Sequence, residues 1–486
     1  MFRSIPEVGV LPVTRSALLI TAVVVGLTTG CDDHSVPPNI VLILVDDLGW
    51  RDLGVMGSAY YETPNIDRLA QQGMLFTQAY ANAPNCAPSR ASLLSGQYAP
   101  RHGIYTVGTS ARGNATQRRL IPIENKTVLD LETVTLAEAL KEAGYATGHF
   151  GKWHLGGEGY LPTDQGFDVN VAGNELGTPP SYFYPYEGAR GQLSDLAQTG
   201  TENEYLTDRL TDEAVRFLEA NAERPFFLYL SHFAVHTPIR AKDEIIDRFR
   251  DKKVDGQHDN PTYAAMIYSV DESVGRVVSK LEELGIQDNT LVFFFSDNGG
   301  FGPVTSMAPL RGSKGMLYEG GIREPLIVRW PGVIEAGSTT DEQVIGTDLY
   351  PTILEIAGAA RPTGQTLDGV SLVPVLSGAG GLTERPLFWH FPAYLEADRS
   401  VTGPWRTTPV GAVRRGRYKL LQFFEDNRLE LYDLESDVAE QRDLATSLPD
   451  TTRELLQLLE AWRAATDAPV PTEPNPEFDR STNRNR

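Results

Sequence analysis

Residues 40–45 read Ile-Val-Leu-Ile-Leu-Val, six apolar side chains without a polar interruption, and the run ends on Asp46-Asp47. A strand with one wet face alternates apolar and polar residues. A run that is apolar on both faces must be covered on both, as in the middle of a largely parallel α/β sheet. Three more segments have this character: Leu-Val-Phe-Phe-Phe at 291–295, Phe-Phe-Leu-Tyr-Leu at 226–230 and, more weakly, 144–150. Helical patterns lie between them. Residues 135–143 open on a Thr135/Glu138 capping box and stop at Gly144, and residues 263–284 carry apolar side chains at close to helical period before Gly285.

With 486 residues the chain has room for one large α/β domain and a smaller one. Around residues 358–381 the texture turns to Gly, Pro and Ala with little periodicity, which predicts a junction, with domains at 38–370 and 371–466. Residues 417–424 and 428–433 read as short antiparallel strands, and about 452–465 as a helix. The Pro-, Asn- and charge-rich tail, 467–486, reads as a surface wrap or a disordered end. The first 31 residues read as an export signal. Arg3 and Arg15 precede an apolar run at 17–27 that is short for a bilayer span. Thr28-Thr29-Gly30-Cys31 resembles a bacterial lipobox, with Thr28 standing where an apolar residue is expected; an ordinary signal cut near Gly30 is the alternative. Either reading predicts an exported, periplasmic or surface protein, touching membrane only through a lipid on Cys31.

The functional signal lies in the polar residues just past each apolar strand. The four candidates run into Asp46-Asp47, Asp297-Asn298, His232 with His236, and Lys152 with His154. Ligands of open α/β sheets sit outside the carboxyl ends of the strands, so one assembled site is expected there. Three carboxylates and an amide crowded together are unfavourable without a cation among them, and an all-oxygen set favours calcium or magnesium over zinc. The formal charge of −21, from 43 basic and 64 acidic residues, argues against nucleic acid as a partner. Two cysteines, Cys31 and Cys86, exclude a disulfide scaffold. Cys86 opens Cys86-Ala87-Pro88-Ser89-Arg90, read as a loop entering a helix that Gly96 closes, which would put the sulfur where a helix N-terminus favours negative charge.

Cys86-x-Pro88-Ser89-Arg90 followed by Leu94-Ser95-Gly96 resembles the signature of the type I sulfatases of the alkaline phosphatase superfamily. The resemblance extends through Asp46-Asp47-Leu48-Gly49, residues 63–70, Gly151-Lys152-Trp153-His154-Leu155-Gly156, His236-Thr237-Pro238, Ser296-Asp297-Asn298-Gly299 and Arg311-Gly312-Ser313-Lys314-Gly315. It implies a large mostly parallel mixed sheet sandwiched by helices, with a smaller C-terminal α+β domain carrying a short antiparallel sheet. It also implies that a maturation enzyme oxidises Cys86 to Cα-formylglycine.

By that resemblance the hydrated aldehyde attacks sulfur, an enzyme-bound sulfate hemiester forms, and the second hydroxyl expels sulfate. One Ca2+ would be held by Asp46, Asp47, Asp297, Asn298 and the modified Cys86. Arg90 would hold the diol and offset the carboxylates, Lys152 and Lys314 would bind sulfate oxygens, His154 would assist hemiester breakdown, and His236 would bind sulfate and protonate the leaving oxygen. The implied substrate is a sulfated saccharide or aryl sulfate. Two rivals stay open: the same nucleophile acting on phosphonate or phosphate esters, and a sulfated-glycan binder in which Cys86 stays unmatured. His232 stands four residues before His236 as a zinc pair on a helix would, but a strand precedes it and Pro238 follows, so it is left out. Residues 182–186, 301–309 and Trp389-His390 are the aromatic candidates for sugar contact.

Overall fold

The computed structural model describes residues 37–483, so the export signal and Cys31 lie outside the described residues. From Pro37 onward the chain packs as one compact unit. Its large sheet is built from β1 (Asn39–Val45), β2 (Met74–Tyr80), β3 (Ala146–Gly151), β4 (Val169–Val171), β5 (Phe226–Ser231), β6 (Thr290–Ser296), β7 (Arg323–Arg329), β8 (Ser338–Thr340) and β9 (Val344–Ile345). Across the sheet the order is β8-β2-β7-β6-β1-β5-β3-β4, with β9 also paired to β2. Every pairing is parallel except those of β7, which runs antiparallel to both β2 and β6.

The apolar run of β1 splits its side chains between two cores. Val41, Ile43 and Val45 enter one with Leu210, Val270 and Val274, from the helices Leu206–Asn221 and Pro261–Glu283. Ile40, Leu42 and Leu44 enter the other with Leu94, Leu140 and Ile353, from the helices Cys86–Ser95, Leu136–Glu142 and Leu349–Ala357. This two-sided burial is why the strand carries no polar residue until it leaves the sheet. The capping box forms as expected, Thr135 accepting from the Glu138 backbone and Glu138 from that of Thr135.

A second sheet, β10 (Leu387–Phe391), β11 (Val410–Arg415), β12 (Tyr418–Phe423) and β13 (Arg428–Asp433), is wholly antiparallel. With the helix Pro449–Ala465 it forms a third core that takes in Tyr80, Leu317 and Ile345 of the larger body. The tail wraps the surface: Ile121 donates to the Glu473 carbonyl and Asn475 to that of Arg119. Among the described residues no helix is long and apolar enough to cross a membrane.

Candidate active site

The parallel strands deliver their polar residues to one edge, and β7, running the other way, brings its preceding loop there too. Asp46 and Asp47 follow β1, Lys152 and His154 follow β3, His236 follows β5, Asp297 and Asn298 follow β6, and Lys314 lies on the stretch leading into β7. Cys86 is the first residue of the helix Cys86–Ser95, reached from the end of β2. All ten residues of that helix are buried, so it is apolar or pinned on every side. Gly96 ends it at φ 67°, where a Cβ would stand 2.8 Å from Leu367. The helix begins two residues earlier than expected, placing Pro88 third rather than first, where no N–H is needed either.

Arg90, one turn in from Cys86, is fully buried. Its Nε and Nη2 both lie 2.8 Å from Asp297 Oδ2, and its Nη1 donates to the Lys152 carbonyl at 3.0 Å and to Ser231 Oγ. The guanidinium thus offsets the Asp297 carboxylate, as expected, and braces the backbone beside Lys152, while Nη2 is buried without a hydrogen-bond partner beyond that ion pair. Lys152 Nζ is 2.6 Å from Asp46 Oδ2, and Lys314 Nζ is 2.6 Å from Asp47 Oδ1 and 3.4 Å from Cys86 Sγ. Lys152 is fully buried behind the carboxylates, whereas Lys314 reaches the cavity. Asn298 donates to Asp47 Oδ1 at 2.8 Å, and the Asp47 backbone N–H donates to Asp297 Oδ1 at 3.2 Å. One ligand atom from each of Asp46, Asp47, Cys86 and His236 lies within 4.8 Å of the others.

Asp47 and His154 sit at φ 60° and 63°, the left-handed region, which aims each side chain back toward the strand ends at a conformational cost. Burial raises Asp46 well above the carboxylate range against the pull of Lys152. Asp47 is equally buried, but Lys314, His236 and Lys152 overcome that and hold it low. Burial would raise the Cys86 thiol; Lys152 and Lys314 outweigh it and hold the group down to about 6. His236 is raised because Asp47 and Asp46 outweigh burial and Lys314, while His154, desolvated and ringed by Lys152 and Arg90, is driven well below its ordinary value.

The fit to a cation can be tested on the acceptors. Asp46 Oδ1 and Asn298 Oδ1 are buried without a hydrogen-bond partner, beside the equally buried carboxylates of Asp47 and Asp297 at the ends of the same two strands. Orphaned buried oxygens cost free energy unless something accepts their lone pairs, and a set of carboxylate and amide oxygens suits a hard divalent ion. The residues present fit calcium or magnesium.

Above this floor opens a cavity of about 390 Å³ whose lining includes Cys86, His154, His236 and Lys314 together with Arg112, Arg190, Phe301 and Arg406. Phe301 is thus the aromatic candidate that the structure brings to the site. Tyr182, Trp389 and His390 are core, and Phe183 and Tyr184 are partly buried against it. Tyr182 is buried with its hydroxyl on the Phe233 and His236 carbonyls, Trp389 donates to the Ala81 carbonyl from the third core, and His390 meets the Pro469 carbonyl. His232 is buried against Ser273, away from the site. Ser231, which links Arg90 to the Lys152 carbonyl (Oγ to O 2.7 Å), was missed although it stands at the end of β5 like the residues that were found. Arg112, Glu396 and Arg406 were missed because no motif spacing marks a cavity rim.

Comparison with known proteins agrees with this geometry. The family model described as Sulfatase matches residues 38–359, and that described as N-sulphoglucosamine sulphohydrolase, C-terminal, matches residues 313–464. A protein named Sulfatase from Formosa agariphila is 36% identical, covering 90% of this chain and 91% of its own length. Human arylsulfatase A is 34% identical, covering 89% of each. Among solved structures, that of Ps i-CgsB in complex with k-i-k-neocarrahexaose superimposes with a TM-score of 0.73 at 31% identity, covering 88% of this chain and 92% of that one.

Proposed function

The chain belongs to the sulfatase family and is a sulfuric ester hydrolase; from this we propose that it removes sulfate from a saccharide, with position 86 as the nucleophile. The observation that carries the reading is Cys86 itself. It opens a buried helix at the cavity floor, 3.4 Å from the Lys314 ammonium and within 4.8 Å of ligand atoms on Asp46, Asp47 and His236. A saccharide is supported by the relatives: one is named N-acetylgalactosamine-6-sulfatase (Canis lupus familiaris, 38% identical over 73% of this chain), and Ps i-CgsB is bound to a neocarrahexaose.

On this reading Cys86 is matured by an oxidising enzyme to formylglycine, which when formed supplies the attacking oxygen through its hydrated aldehyde. Asp46, Asp47, Asp297 and Asn298 would hold calcium, which when bound supplies positive charge for a sulfate oxygen and for the attacking group. The chain's own side chains do the rest. Lys314, at the cavity wall, binds a sulfate oxygen and offsets charge on the transferring group. His236 lines the cavity with Nε2 3.5 Å from Asp47 Oδ2, placed to protonate the departing sugar oxygen. His154 faces the same space with Nδ1 unpartnered, a neutral ring able to accept a proton. Arg90 and Lys152 fix the carboxylates rather than touching substrate. The N-terminal 31 residues support export, with Cys31 as the lipid anchor.

The test has two arms. Intact-mass analysis should show position 86 lighter by about 18 Da, the loss of sulfur and two hydrogens and the gain of one oxygen on conversion of the thiol to an aldehyde. Turnover of an aryl sulfate should exceed that of the matching aryl phosphate. A reversed preference favours the phosphonate or phosphate ester reading, and an unconverted Cys86 with glycan binding favours the non-catalytic one.

A further inference from the structure

The lining of the cavity carries three arginines, and part of their hydrogen-bonding capacity is unused. Arg112, Arg190 and Arg406 all line it, in a chain whose net charge is −21. Arg112 is held by a single contact, Nη2 to Glu396 Oε1 at 2.6 Å, on a half-exposed pair. Arg190 is exposed and makes no ion pair among the described residues. Arg406 meets Asp398 at 2.8 Å, stacks its guanidinium 5.7 Å from the Phe301 ring, and keeps Nε buried without a partner. Each guanidinium carries five N–H donors and no acceptor; Asp47, Glu175 and Glu396 are the carboxylates on the same lining and Asp398 pairs Arg406, yet Arg190 and the Nε of Arg406 are left unpartnered among the described residues. Unpartnered guanidinium donors fit oxyanions, which accept two parallel N–H bonds with the charge to match. Arg406 also hydrogen-bonds the Lys314 carbonyl at 3.4 Å, which ties the rim to the residue that touches Cys86.

We propose that this rim is a subsite for a second anionic substituent on the substrate, a sulfate or a carboxylate carried by the same sugar or its neighbour, held by Arg112, Arg190 and Arg406. The proposal rests on the sulfatase reading and narrows it to polyanionic saccharides. Phe301 supplies an apolar face for the ring between the two anions. The ribbon that presents Glu396 and Arg406, residues 395–407, is then a specificity element contributed by the C-terminal part of the chain.

The experiment measures kcat/KM on pairs of saccharide sulfates that differ in one group: the same sugar with and without a second sulfate, and a disaccharide with a uronic or a neutral neighbour. The wild-type enzyme should prefer the doubly anionic member of at least one pair by about tenfold. Which pair responds separates the sulfate from the carboxylate source. Arg112→Gln, Arg190→Gln and Arg406→Gln should each shrink that preference, mainly through KM, and flatten its loss with added salt. Arg190 is exposed, so its variant keeps the test open if either of the others fails to fold. No preference in the wild type, or one that survives all three substitutions, overturns the subsite. Wild-type turnover of an aryl sulfate is read in parallel: its absence defeats the sulfatase reading, whereas its presence without any charge preference defeats only the subsite.

Discussion

Lys419 on β12 is fully buried between two equally buried carboxylates, 2.9 Å from Glu319 Oε1 and 3.0 Å from Glu440 Oε1. Glu319 precedes β7 and also accepts from Tyr80 at 2.8 Å, so the triad ties the antiparallel sheet to the large one. Lys419→Met removes the cation the two acids share: Glu319 keeps Arg323 at 3.5 Å and Arg414 at 3.9 Å, while Glu440 loses its ion pair in a dry interior, a change that costs about 3–5 kcal/mol. For a unit of this size that corresponds to a melting temperature lower by roughly 3–5 °C. The sign of the pH dependence comes from Glu440. Burial raises it, Lys419 pulls it back, and the balance leaves it at about 7. Its folded value lies above the unfolded one, so its contribution is full below the unfolded value, about 4.3, and is lost as pH rises through the folded value. Without Lys419 that carboxyl rises further, and the deficit of the variant should be larger at pH 8 than at pH 6. Calorimetry at the two pH values reads this directly, and neutralising the two acids as well (Glu319→Gln, Glu440→Gln) should restore most of the loss. A gap below about 2 °C at pH 8, or one indifferent to pH, would refute the claim that the triad is a desolvated ion cluster.

Gly177 packs against the imidazole of His154, and a Cβ there would stand 2.4 Å from its Cε1. Gly177→Ala should therefore displace His154 and lower kcat by about 10- to 100-fold while the melting temperature holds; steady-state kinetics beside calorimetry checks this, and an unchanged kcat counts against a role for His154. Removal of divalent ions with a chelator should lower both turnover and melting temperature. Calcium returned at about 100 times its dissociation constant should restore roughly 2.7 kcal/mol of stability, and a melting curve indifferent to both treatments would mean that the oxygen cluster holds no ion.

The interior of the large sheet was legible because burial on both faces leaves only apolar residues, so the place where polarity returns marks the strand's end. The same logic found Asp46, Asp47, Lys152, His154, His236, Asp297 and Asn298 at one edge. β7 escaped because Arg323, Glu324 and Pro325 open it; Glu324 is nonetheless fully buried, and β7 alone runs antiparallel to its neighbours in the sheet. The aromatic segments misled for a related reason. An aromatic side chain gives large apolar area whether it faces sugar or core, and Tyr182 and Trp389 find backbone carbonyls that make the core the better place. Arg112, Arg190 and Arg406 come from three unconnected stretches, so only the folded chain shows them around one cavity. Arg90 pairs with Asp297, as its expected offset of the carboxylates requires, because a buried guanidinium must be paired and the strand ends present a carboxylate.

Sulfate release from a sulfate ester by the matured wild-type protein, measured beside Cys86→Ala prepared identically, bears most directly on how the site works. Steady turnover by the wild type and a drop of about a thousandfold or more in the alanine variant are expected if the side chain at 86 performs the displacement. A variant that keeps more than about a tenth of the wild-type rate would place the displacement elsewhere.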